Sequence, residues 1–197
     1  MSKFKIIPYI WVKNEIKIEI TNDLDYLTFN EINKKYSEHF LKYQGGIILK
    51  NSKNEYLFET SDLHYYYDAE CFIIRNYLFF KHKVQVTTKN LTLLMTGGHK
   101  FYILKNENSY YFKYITKNGK SLPPEIKYTF IDDEKLLSLK LSYIELIEAL
   151  ENSIEAIYNM YKTNYDVLKN NEVFLRYFKY IKNLSTKQNF DGSDDYW

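Results

Sequence analysis

SYIELIEALENSIEAIYNMYK, residues 142–162, is where this chain stops alternating like a strand and begins to repeat like a helix. Ser142 and Glu145 have capping-box spacing, in which a hydroxyl and a carboxylate each satisfy a backbone N–H of the first turn. On a helical wheel, Ile144, Ile147, Leu150, Ile154, Ile157, Tyr158 and Tyr161 are read as one apolar arc, flanked by Ala149, Ser153, Ala156 and Met160. The polar remainder is a strip of Glu145, Glu148, Glu151 and Glu155 with Asn152, Asn159 and Lys162. Like charges at helical spacing repel by about 0.2–0.5 kcal/mol per pair. Such a strip is a candidate surface for a basic partner.

A second helix is expected over 171–184, with Phe174, Tyr177, Phe178, Ile181 and Leu184 buried and Arg176, Lys179 and Lys182 exposed. Its basic side offers the strip an internal explanation, because Glu148, Glu151 or Glu155 can pair with Arg176, Lys179 or Lys182 across a helical hairpin. A solvated face is the other plain explanation. The tail 185–197 is acidic and aromatic, and Asp194, Asp195 and Trp197 join the three glutamates as candidate partner-binding residues. The expected organisation is a single domain over 1–197, with a sheet-rich body over 1–141, the hairpin over 142–184 and the tail.

The body reads as antiparallel strands. Ile16, Ile18 and Ile20 alternate with Lys17 and Glu19 and can pair with the apolar run 4–12 through a turn near Lys13 and Asn14. A helix follows, with Thr28 and Glu31 at capping-box spacing and Phe29, Ile32, Tyr36, Phe40 and Tyr43 as its apolar face. Gly45 and Gly46 can end it by accepting positive φ. Further strands are expected at 46–50, 55–60, 84–88, 91–95, 101–105, 109–115 and 126–130, with 136–141 as a last candidate. Residues 62–80 admit two readings. Ser61 can cap a helix, but Phe72, Ile73, Ile74 and 77–80 are β-prone, and that propensity favours strands. The expected class is α+β: a mainly antiparallel sheet with one helix in the N-terminal half and a C-terminal helical hairpin.

Composition narrows the function classes. The chain has 197 residues, 45% hydrophobic and 26% charged, enough apolar matter for a core. Its 21 Tyr and 13 Phe accompany abundant Lys, Asn and Ile, as AT-rich codons produce. Tyrosine at a recognition surface is the alternative source of the excess. A net charge of +2 argues against a strongly basic nucleic-acid binder, but the charge is uneven. Residues 1–120 hold 18 Lys/Arg against 12 Asp/Glu, and residues 121–197 hold 9 against 13. The start, Met1-Ser2-Lys3-Phe4-Lys5, carries no long apolar run before a small-residue cleavage site, and no stretch approaches a membrane span. A cytoplasmic protein without a membrane partner is therefore expected.

Catalytic and cofactor chemistry finds little support. His39, His64, His82 and His99 are scattered outside any metal-binding frame, so no metal or cofactor is expected. Cys71 adjoins Phe72, Ile73 and Ile74 and reads as a buried, inert thiol. Thr96-Gly97-Gly98-His99-Lys100 lacks P-loop spacing and suits a hairpin turn. Residues 71–120 carry nine Lys/Arg against Glu107 alone, interleaved with Phe101, Tyr102, Tyr110, Tyr111, Phe112 and Tyr114. Basic strands with exposed rings can bind single-stranded nucleic acid. Yet alternation along 109–115 does not separate rings from charges, and lysines blunting strand edges look similar. Nucleic acid is the alternative partner, not the first expectation.

In overall design, a leaderless, motif-poor α+β chain with a β-rich body, a Ser142/Glu145-capped helix and acidic exposed features resembles the immunity proteins of bacterial polymorphic-toxin and contact-dependent inhibition systems. The resemblance implies a non-enzymatic protein that neutralises a cognate toxin domain, often a nuclease, by forming a tight complex. It also implies that Glu148, Glu151, Glu155, Asp194, Asp195 and Trp197 contact that toxin. The slightly positive net charge departs from the acidic character usual in a nuclease inhibitor and leaves the toxin's chemistry open, as it leaves the oligomeric state.

Overall fold

In a computed structural model the described residues are 4–12, 16–24, 45–60, 66–86, 89, 91–95, 99–115, 139–163, 165–169, 175, 179 and 182. They form an α+β fold with two antiparallel sheets. The first sheet contains β1 (Lys5–Val12), β2 (Ile16–Glu19), β3 (Gly45–Lys50) and β4 (Glu55–Glu59) in the order β2-β1-β3-β4. The second contains β5 (Leu93–Met95), β6 (His99–Asn106) and β7 (Ser109–Ile115) in sequential order. The helices are α1 (Tyr66–Tyr77), which continues into a π-helical turn (Leu78–His82), then α2 (Tyr143–Thr163) and the short α3 (Tyr165–Leu168). The expected helix at 28–43, the strand at 126–130 and most of the second hairpin helix lie outside the described residues.

Apolar pattern explains how each sheet is buried. In β1, Ile6 and Ile10 face the main core, whereas Ile7 and Tyr9 join Ile48 of β3 in a second cluster. The first sheet is therefore covered on both faces, as its near-continuous apolar runs require. The second sheet turns Phe101, Ile103, Tyr110, Phe112 and Tyr114 inward. Phe58 joins the two sheets, its ring 4.3 Å from that of Phe101 and 6.3 Å from that of Tyr114.

Local chemistry ends the β1–β2 ladder. Ile20 N–H reaches Pro8 C=O at 2.8 Å, but Pro8 has no N–H to return. One step further, Ser153 of α2 donates its hydroxyl to Ile6 C=O, so the helix satisfies an acceptor that the ladder leaves over. The small flank of Ala149, Ser153 and Ala156 permits this approach, and all three are buried. Gly46 is also a matter of approach. It lies in β3, paired with Tyr9 of β1 and Glu59 of β4, and a Cβ there would stand 1.8 Å from Phe58 O. Gly45 and Gly46 thus begin a strand, where positive φ had been the expected reason for them.

Three expectations are corrected. Residues 66–82 are helical, not strands. Every residue from Ala69 to Leu78 except Arg75 is buried, so the segment is packed nearly all round between α2 and the first sheet. A fully buried helix loses the amphipathic signature, and β-propensity yields to tertiary burial. Residues 83–86 form no strand, because Lys83 closes the π-helical turn in the left-handed conformation (φ 60°), its N–H bonded to Leu78 O. In the last strand candidate, 139–140 are irregular and Leu141 makes only an isolated bridge to Tyr110, while 136–138 lie outside the described residues.

Candidate functional site

Helix α2 starts as its sequence dictates. The Glu145 carboxylate accepts from Ser142 N–H and Ser142 Oγ, both at 2.8 Å, and Glu145 N–H reaches Ser142 Oγ at 3.3 Å. These bonds hold the Glu145 carboxyl below the usual carboxylate range. Glu145 is thereby committed to capping.

The buried side of α2 is wider than expected and centred elsewhere. It comprises Leu146, Ile147, Ala149, Leu150, Ser153, Ile154, Ala156, Ile157, Met160 and Tyr161. Tyr161 donates its hydroxyl to the buried Glu70 carboxylate of α1 at 2.5 Å. Ile144, expected in the apolar arc, is instead 67% exposed. Its wheel position lies within about 40° of both Glu155 and Glu148. The exposed stripe therefore has an isoleucine at its N-terminal head, followed by Glu148, Asn152 and Glu155. Tyr143, 39% exposed, stands beside that head. The Tyr143 ring lies 6.1 Å from the Tyr110 ring, with Lys83 Nζ 5.6 Å from its centroid.

The three candidate glutamates have different surroundings. Glu151 faces the π-helical turn. It accepts from Lys81 Nζ at 2.8 Å and from the Tyr77 hydroxyl at 3.0 Å. Burial, with the Glu151 charge added, pushes the Tyr77 phenol well above its ordinary range. Burial and then Lys81 lower the nearby His82, against an opposing pull from Glu151. Glu155 accepts from the Asn22 side-chain amide at 3.2 Å, and Asn159 donates to Asn22 Oδ1 at 3.4 Å. Glu148 is half-buried and lies nearer the N-terminus of the helix than Glu151 or Glu155. Among the described residues, Lys81 in the turn after α1 is a cation that meets Glu151.

Lys179 and Lys182 are helical and exposed, while Arg176 lies outside the described residues. With Lys162, Tyr165 and Leu175 they line an open groove of about 500 Å³ beyond the end of α2. A second groove of about 230 Å³ lies where Asn152, Ser153 and Ala156 meet Lys5, Thr21 and Asn22. Asp194, Asp195 and Trp197 lie outside the described residues. Among the described residues there is no cluster of three metal-ligating side chains, and no helix is long and apolar enough to cross a membrane. Cys71 is buried.

The exposed head of the stripe escaped the sequence reading, although the signal was present. Wheel position alone sets Ile144 among the glutamates and Leu146 in the core, where it is fully buried. Nothing local in the sequence points from Glu151 to Lys81 and Tyr77, because that pairing spans 70 residues or more.

Comparison with protein families, with curated proteins and with solved structures gives no match.

Proposed function

We propose that this chain is a non-enzymatic protein-binding module of the immunity type, which neutralises a cognate bacterial toxin domain in the cytoplasm by forming a tight complex. The observation that carries the reading is the exposure of Ile144 at the head of the acidic stripe of an otherwise deeply packed helix. An apolar anchor next to charged residues is how binding surfaces concentrate energy at a centre and steer association from the rim. Ile144 supplies the anchor, with Tyr143 beside it. Glu148 and Glu155 supply the negative edge, and Asp194, Asp195 and Trp197 remain candidates to extend it. Glu151 contributes through its bonded pair with Lys81, which fixes the flank of the stripe.

The test is co-expression with the products of the genes that flank this chain's gene, screened for a toxic domain. The wild-type chain should restore growth and co-purify with the toxin at one to one. Ile144→Asp should keep the wild-type melting temperature and weaken the complex by about 30-fold or more. Undiminished protection by that variant would remove the stripe from the interface. Failure of the wild-type chain to protect would remove the immunity reading.

A further inference from the structure

The second sheet has an outer face that α1 and α2 do not use. Strand parity separates its side chains. Phe101 and Ile103 of β6 and Tyr110, Phe112 and Tyr114 of β7 are buried in the core. The opposite set is Lys100, Tyr102 and Leu104 on β6 with Tyr111 and Lys113 on β7. Lys100 and Leu104 are exposed, and Tyr102, Tyr111 and Lys113 are half-exposed.

Register arranges this set in rows. Tyr102 stands opposite Lys113 and Leu104 opposite Tyr111, so the two tyrosines are diagonal neighbours and each ring has an apolar or cationic companion across the strands. Sequence alternation alone suggested mixed rings and charges. Burial of one whole parity resolves that mixture and leaves a face with two lysines and two tyrosines. Glu107 lies in the turn at the far end of the hairpin, where φ is 52°. The side chains of Lys100, Tyr102, Tyr111 and Lys113 make no ion pair or hydrogen bond with another described residue.

We propose that this outer face of β6 and β7 binds single-stranded RNA, with bases stacking on Tyr102 and Tyr111 and phosphates meeting Lys100 and Lys113. Charge complementarity selects a polyanion. The rings select one whose bases are unpaired, because a duplex keeps its base faces stacked inside. The phenol hydroxyls can also hydrogen-bond the ribose 2′-OH, which phenylalanine rings in the same positions would not do. Local composition carries this reading, since the chain's near-neutral net charge averages a basic sheet with an acidic C-terminal third. The surface belongs to elements distinct from the Ile144 stripe, so the two readings stand or fall separately.

The experiment is fluorescence anisotropy of a labelled 12-nucleotide mixed-sequence RNA with the full chain, titrated at several salt concentrations. Wild-type binding should weaken steeply with salt. Tyr102→Ala with Tyr111→Ala should weaken it at least about tenfold. Lys100→Gln with Lys113→Gln should lower the slope of log affinity against log salt by about 1 to 1.5. Lys53→Gln with Lys169→Gln, on other surfaces, should change neither quantity. Circular dichroism and melting of each variant separate lost binding from lost fold. No binding at low salt, equal affinity for the same sequence as a duplex, or an unaffected tyrosine variant would each overturn the proposal.

Discussion

The two sheets use the same residue types in opposite ways. In the first sheet β1 reads KIIPYIWV and β3 reads GGIILK, and both of their faces are buried. In the second, β6 reads HKFYILKN and β7 reads SYYFKYI, and only one face is buried. Lysine placement makes the difference. It is confined to the ends of β1 and β3 but recurs inside β6 and β7, where a buried ammonium would lose its hydration without a partner. A sheet whose strands carry interior lysines keeps one face in water, and that is the face available for binding.

The largest effect should come from the residue that ties the sheets together. Phe58→Ala removes a fully buried ring seated between Phe101 and Tyr114 and should cost about 3–5 kcal/mol in denaturant unfolding. Separate unfolding transitions for the two sheets in this variant would show that Phe58 is their main coupling. A single transition would show that α1 and α2 suffice.

A smaller effect belongs to the helix that rests on β1 and reaches β7. Ser142→Ala should cost about 0.5–2 kcal/mol at neutral pH. The folded chain holds the Glu145 carboxyl below its ordinary value, so it binds that proton less readily than the unfolded chain does. The carboxylate's share of the capping is therefore present above about pH 4.3 and is lost as pH falls through the lower folded value, while the Glu145 N–H bond to Ser142 Oγ does not titrate. Thermal melts from pH 7 to pH 2 should show the gap between wild type and Ser142→Ala narrowing at the acid end without closing, because the hydroxyl's bond to the Glu145 carboxylate titrates and its bond from Glu145 N–H does not.

The smallest effect tests the open face directly. Leu104→Ser, on the outer side of β6, should change stability by no more than about 0.5 kcal/mol. A loss of several kcal/mol would mean that this face is covered in the folded chain.

Legibility followed the range of the interactions. The hairpin of β6 and β7 could be placed from its alternation and its Glu107-Asn108 turn, because pleat period and turn chemistry act between near neighbours. The cap at Ser142 and Glu145 could be read for the same reason. The span 66–82 could not, because apolar residues on every side of a buried helix erase the period that distinguishes helix from strand. The candidate site was half legible. Its glutamates were visible as a stripe, but Ile144 was drawn into the core by its residue type.

Sequence alone therefore fixes what local physics controls: the α+β class, the strand pairs joined by short turns, the start of α2 and the burial of Cys71. Long-range packing settles the rest. Whether a glutamate on the stripe is bonded or open depends on Lys81, Tyr77 and Asn22, which reach α2 from 70 or more residues away. Which side of β6 and β7 meets water depends on where Phe58, Phe72 and Phe4 bring their rings against Phe101 and Phe112. Those contacts arise only when distant segments share one core. The pattern along a single strand shows that its two faces differ, and the packing decides which one is buried.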